Sequence, residues 1–113
     1  MRAKKVDSTQ PQIVAALRNS GASVFSTASV GSGFPDLVAS YRNWTCLIEC
    51  KTGRGGLNSL QREFHDNWGG LILVCRTPEE AVSEFWKAWS AGLINRAPAL
   101  GVVRKVKGRM GEE

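Results

Sequence analysis

Two short strand-forming runs, Leu37–Tyr41 and Thr45–Cys50, are separated by little more than the dipeptide Arg42-Asn43. A connection this short lets neighbouring strands pair only antiparallel. The resulting hairpin brings the beginning of the first strand beside the end of the second. Pro35-Asp36 stands at that beginning, and Glu49-Cys50-Lys51 at that end. Side chains alternate along a strand, so Glu49 and Lys51 share one face while Cys50 turns away toward a core. Two carboxylates and an ammonium are therefore expected to converge at one edge of a sheet.

Such a convergence is poor structure and useful chemistry. Carboxylate oxygens are hard ligands suited to Mg2+ or Mn2+, and the backbone carbonyl of Cys50 is a candidate third ligand. An ion held there lowers the pKa of a bound water and neutralises charge building on a phosphate oxygen. The Lys51 ammonium is placed to orient the attacking water or to stabilise the transition state. Plainer readings compete. Asp36 after Pro35 can simply start a turn, Glu49 and Lys51 can form a solvent-facing pair, and Gln61 can close a helix capping box with Asn58.

Elsewhere the hydrophobic pattern alternates between helix and strand. Ser8–Asn19 predicts a helix with Ile13, Val14 and Leu17 on one stripe, and Ser23–Thr27 a strand. Asn58–Trp68 predicts a helix with Leu60, Phe64 and Trp68 facing the core. Leu71–Cys75 reads as a strand buried on both faces. Thr77-Pro78-Glu79-Glu80 opens a further helix through a capping box, with Ala81, Val82, Phe85 and Trp89 inward and an end near Gly92. The order predicts an α/β fold, a central mixed sheet flanked by helices.

A chain of 113 residues, 42% hydrophobic, is the size of one domain, which typically runs to about 100–150 residues. The expected boundaries are a folded unit over 1–94 and a basic C-terminal segment over 95–113, a strand over Leu100–Val106 followed by a flexible tail. No apolar run is long enough to span a membrane. The basic start leads into Asp7-Ser8-Thr9-Gln10 and not an apolar run, so no secretory signal is expected and a cytoplasmic location is. The net charge of +5 favours a polyanionic partner, although seven of the fifteen Lys and Arg residues lie near the two ends. Arg54, Arg62, Gln12 and the basic C-terminal segment are the candidates for contact with a nucleic-acid backbone. Cys46, Cys50 and Cys75 sit in apolar runs without metal-binding spacing, so they read as small core residues. A nucleophilic cysteine with His65 as its base is the weaker alternative, and His65 itself reads as an exposed helical residue.

The residues Pro35-Asp36, then Glu49-Cys50-Lys51, match the loose pattern of the PD-(D/E)xK nuclease superfamily. Gly33-Phe34-Pro35-Asp36-Leu37-Val38, Leu47-Ile48-Glu49-Cys50-Lys51 and Leu57-Asn58-Ser59-Leu60-Gln61 together resemble successive motifs of the VRR-NUC family, in its small standalone viral and bacterial form. The resemblance runs from about Val6 to Phe85. It implies a restriction-endonuclease-like, junction-resolvase-like core and a metal-dependent, structure-specific endonuclease acting on branched DNA such as Holliday junctions. By position it makes Asp36 and Glu49 metal ligands with the Cys50 carbonyl, Lys51 the catalytic lysine, and Gln61 a helix-borne glutamine at the site. Family members often carry a Glu in the first helix, where this chain has Gln10 and Gln12. The small size, with the family analogy, adds the expectation of a homodimer. The rival expectation is a non-catalytic nucleic-acid-binding module with a decayed nuclease site.

Overall fold

The hairpin forms where the sequence places it. In the structure, a computed structural model that describes residues 9–103 with side chains from 9 to 92, β2 is Leu37–Tyr41 and β3 is Trp44–Cys50. Tyr41 pairs with Trp44 across the turn. Arg42 and Asn43 take φ values of 49° and 66°, the positive pair that a two-residue turn needs to match the twist of its strands. Arginine rarely adopts such a φ; here its guanidinium lies 5.3 Å from the centre of the Tyr41 ring, which offsets part of the strain.

The remaining elements are α1 (Gln10–Asn19), β1 (Ser23–Ser26), α2 (Ser59–Asn67), β4 (Ile72–Cys75) and α3 (Pro78–Val103). The sheet is mixed, in the order β1-β2-β3-β4. β1 and β3 run antiparallel to β2, and β4 runs parallel to β3. A parallel neighbour requires a crossover, and α2 supplies it. Ile13 and Leu17 of α1 and Ala81 and Phe85 of α3 are buried with Cys46, Ile48 and Cys50 of β3 in one apolar cluster. Glu49 alternates with these residues and bonds to α2, so α2 lies on the opposite face of the sheet from α1 and α3. Tyr41, Trp44, Phe85, Trp86 and Trp89 form edge-to-face contacts along the α3 side, and the Trp86 indole donates to Ser20 Oγ at 2.8 Å.

Three helical or strand expectations need correction. Of the α2 residues only Gln61 is buried; Leu60 and Trp68 are 56% and 43% exposed, and Phe64 is half-buried against Phe34. The helix is turned so that its polar side meets Glu49, which leaves the apolar stripe on the flank. β4 is an edge strand with only Cys75 buried, so it has neither the two covered faces nor the length expected from Leu71–Cys75. Helix α3 does not stop near Gly92. It continues to Val103, which replaces the strand expected from Leu100; positions 104–106, like the rest of 104–113 and the basic start at 1–8, lie outside the described residues. Gly92 serves close packing, since a Cβ there would stand 3.0 Å from the Trp44 indole nitrogen.

The start of α3 is also modified. Glu80 N–H donates to Thr77 Oγ1 at 3.0 Å, as expected, but the Glu80 carboxylate accepts from Arg76 N–H at 2.7 Å, one residue further back than a capping box requires.

Gly31 and Gly33 both have positive φ, 75° and 84°, but only Gly33 lies against another backbone. A Cβ on Gly33 would collide with the Leu60 carbonyl, whereas one on Gly31 meets nothing. Gly31→Ala should therefore cost about 1–2 kcal/mol, the left-handed penalty alone. Gly33→Ala should cost roughly 3 kcal/mol or more, because loop and α2 must separate. Urea denaturation of the two variants, compared with wild type, measures the difference.

Candidate active site

The β2–β3 register sets Leu37 opposite Ile48, so one step further Asp36 falls opposite Glu49. The Pro35-Asp36 corner is fixed from β1's exit. Thr27 donates its N–H to the Asp36 carbonyl and its hydroxyl to the Pro35 carbonyl, both at 2.7 Å. Asp36 is 6% exposed, and its Oδ2 accepts the Cys50 N–H at 2.9 Å. The carboxylate thus takes over a ladder bond where β2 has no further backbone to offer. On the other side, Lys51 N–H donates to the Cys75 carbonyl at 3.0 Å. The N–H and C=O of one strand residue point the same way, so the Cys50 carbonyl is directed to the Asp36 side.

Glu49 is 1% exposed, which removes the reading of a solvent-facing strand pair. Its partner is Gln61. The Gln61 amide nitrogen donates to Glu49 Oε2 at 3.0 Å, and its oxygen accepts from Lys51 Nζ at 2.8 Å. The same oxygen accepts Asn58 N–H at 2.9 Å, while Gln61 N–H donates to Asn58 Oδ1 at 2.9 Å. The capping box is therefore present, and Gln61 performs the cap and the bridge together. An amide is the side chain that can donate to a carboxylate and accept from an ammonium at once.

Helix α1 closes the same edge. Thr9 Oγ1 lies 3.5 Å from the Lys51 carbonyl. Gln10 is 5% exposed; its amide nitrogen donates to Ser26 Oγ at 3.3 Å, and Ser26 pairs with Leu37, the neighbour of Asp36. The Gln10 Oε1 is buried and has no hydrogen-bond partner. Gln12 points to solvent, so of the two glutamines Gln10 belongs to this edge. Among the described residues no three His, Cys, Asp or Glu side chains gather as a metal-holding group. The oxygens that the sequence nominates, those of Asp36, Glu49 and the Cys50 carbonyl, are all hard donors, of a kind that suits a small divalent cation better than a soft one.

Arg54 and Arg62 are exposed, and Arg62 donates to the Leu57 carbonyl at 3.2 Å. Two residues that sequence reasoning missed hold the surroundings. Thr27 fixes the Pro35-Asp36 corner, and Arg76 donates to the carbonyls of Gly53 and Gly55 at 2.9 and 2.7 Å, shaping the loop that carries Arg54. The parallel pairing of β4 with β3 puts Arg76 just beyond Cys75, beside the loop that leaves Lys51. No local sequence signal marks that contact.

His65, expected as an exposed helical residue, is half-buried. Cys46, Cys50 and Cys75 are buried and form no disulfide. Burial first, and then the nearby Cys75, push the Cys46 thiol up to about 12; burial, Glu80 and Glu84 push Cys75 up to about 12. Neither is a thiolate at neutral pH, which removes them as nucleophiles.

Comparison of the chain with protein-family models, with curated proteins and with solved structures found no match. The case for a site rests on the residues and their geometry. Among the described residues, no helix is long and apolar enough to cross a membrane.

Asp36→Ala removes the side-chain oxygen that accepts the buried Cys50 N–H, whereas Asp36→Asn keeps one. The Asn variant should be the more stable of the two by about 1–3 kcal/mol. Thermal and urea denaturation followed by circular dichroism would test this, and equal stabilities would show that the Asp36–Cys50 bond does not hold the corner.

Proposed function

We propose that this protein is a metal-dependent, structure-specific DNA endonuclease with a PD-(D/E)xK core of the junction-resolvase kind. It hydrolyses phosphodiester bonds, with branched DNA such as Holliday junctions as the substrate class. One observation carries the reading. Buried Asp36 and Glu49 fall opposite each other at the end of the two central strands, and a single glutamine ties Glu49 to the Lys51 ammonium. Burying carboxylates in this way opposes folding, and hydrolysis of a phosphodiester is the chemistry that uses all of them.

Asp36, Glu49 and the Cys50 carbonyl would hold Mg2+ or Mn2+, with the Gln10 oxygen in the place where VRR-NUC proteins often carry a Glu. When bound, such an ion supplies an acidified water and neutralises charge on the scissile phosphate. Lys51 then faces the developing negative charge, and Gln61 limits where its ammonium can go. Positioned charge of this kind needs no reorganisation during reaction. Asp36 also fixes the Cys50 peptide, so the carbonyl and the carboxylates share one rigid frame.

Arg54, Arg62 and the basic C-terminal segment serve as backbone contacts, consistent with the net charge of +5. A single site cuts one strand, so two copies acting as a homodimer suit a branched duplex; a monomeric mass by light scattering, free and on DNA, would remove that part. A cytoplasmic location accords with this substrate. The uncharged Gln10 favours one other reading, a binding module whose metal site has lost a ligand charge.

Labelled four-way, splayed and linear DNA should be tested with Mg2+, Mn2+ or EDTA. Wild type should cut a branched substrate only with metal, and Asp36→Asn and Lys51→Met should each slow it by at least about a hundredfold while remaining folded. Metal-independent binding with steep salt dependence and no cutting would replace the nuclease with the binding module.

A further inference from the structure

The aromatic side chains beside α2 take no part in the chemistry above, yet they begin next to it. Phe34 directly precedes Pro35-Asp36, and Phe64 follows Gln61 by one turn of the helix. These two rings meet edge to face with their centres 5.1 Å apart. Phe64 in turn is stacked on Trp68, with centres 5.3 Å apart and planes 22° from parallel. Trp68 caps the C-terminal end of α2, about 10 Å along the axis from Gln61. The three rings therefore form a row that leads away from the Asp36 corner.

Trp68 ends the row with surface to spare. Phe64 covers one face of the indole, no other ring touches it among the described residues, and the residue stays exposed. The chain that follows, Gly69-Gly70, brings no side chain against it. A Cβ on Gly70 would stand 2.8 Å from the indole nitrogen, so a larger residue there would push the ring aside. The charges nearby suit an anionic ligand. Each helical residue advances about 100° around the axis, which sets Glu63 and Asp66 on the side of α2 away from the line of Gln61, Phe64 and Trp68. Arg62 is exposed on the same helix, and the net charge of +5 draws a polyanion in.

We propose that Trp68 is a stacking platform for an unpaired nucleobase of the DNA substrate, near the phosphate that is cut. Inside a duplex the faces of the bases are hidden in the stack, so only a nucleotide without a partner offers one to an indole. The favoured substrate is then branched DNA with unpaired nucleotides at the branch, splayed or gapped, over a fully paired linear duplex. The inference rests on the nuclease reading for its location and deepens it by naming the feature of the branch that is recognised.

Splayed DNA carrying the fluorescent base 2-aminopurine at its unpaired positions, and a fully paired linear duplex, should be titrated with the full chain in EDTA, so that nothing is cut. Wild type should bind the splayed DNA more tightly and quench the probe. Trp68→Leu, checked for folding by circular dichroism, should lose the quenching and bind the splayed DNA about tenfold more weakly, with its affinity for the duplex unchanged. Trp68→Phe, which keeps an aromatic face, should retain most of both. Unchanged quenching and affinity in Trp68→Leu, or an equal loss on splayed and paired DNA, would overturn the platform, and so would a wild type that does not bind unpaired DNA. A mass by light scattering that falls in Trp68→Leu without DNA would also overturn it, by assigning the indole to a contact between protein copies. Quenching that depends on Trp68, with no cutting in Mg2+ or Mn2+, would remove the nuclease reading and leave the platform standing.

Discussion

The Gln61 amide is the contact on which the site depends. It ties the start of α2 to the end of β3: its oxygen receives the Lys51 ammonium and the Asn58 N–H, and its nitrogen serves Glu49. Without it, the Asn58 N–H at the start of α2 would lose its acceptor, and the buried Glu49 would lose a donor. The rotation of the whole helix follows from this one residue. A single turn of α2 cannot present both Gln61 and the Leu60–Trp68 stripe to the sheet, because each residue advances about 100° around the axis. Glu49 decides which side wins.

Asp36 plays the matching part on the other side of β3. Its carboxylate closes the hydrogen-bond ladder where β2 begins, so a group placed for chemistry also completes the sheet. Thr27 and the Gly33 approach to α2 hold that corner from behind. Site and fold are consequently difficult to separate by mutation: most changes that remove a functional group also leave a buried polar atom without its partner.

Much of this was legible in the linear chain. The hairpin, the Asp36–Glu49–Lys51 convergence and the Asn58–Gln61 cap depend on short-range geometry, and a two-residue turn leaves little freedom in register. The Thr77 cap was legible for the same reason, although Glu80 reached to Arg76. The failures lie where a pattern has two uses. Leu60, Phe64 and Trp68 have helical spacing but not the burial that usually accompanies it. Gly92 resembles a helix stop, yet it accommodates the Trp44 indole while α3 continues. The run ending at Cys75 is apolar enough for a central strand but occupies an edge.

The sequence by itself determined which residues meet at the hairpin, because turn length and strand alternation are local rules that distant contacts cannot easily override. Only the tertiary structure decided that Gln10 rather than Gln12 lies at the edge, that Arg76 shapes the loop after Lys51, and that α2 turns its polar side inward. Those outcomes depend on how separate elements are packed against one sheet. A buried carboxylate needing a donor outweighs the preference of an apolar stripe for cover.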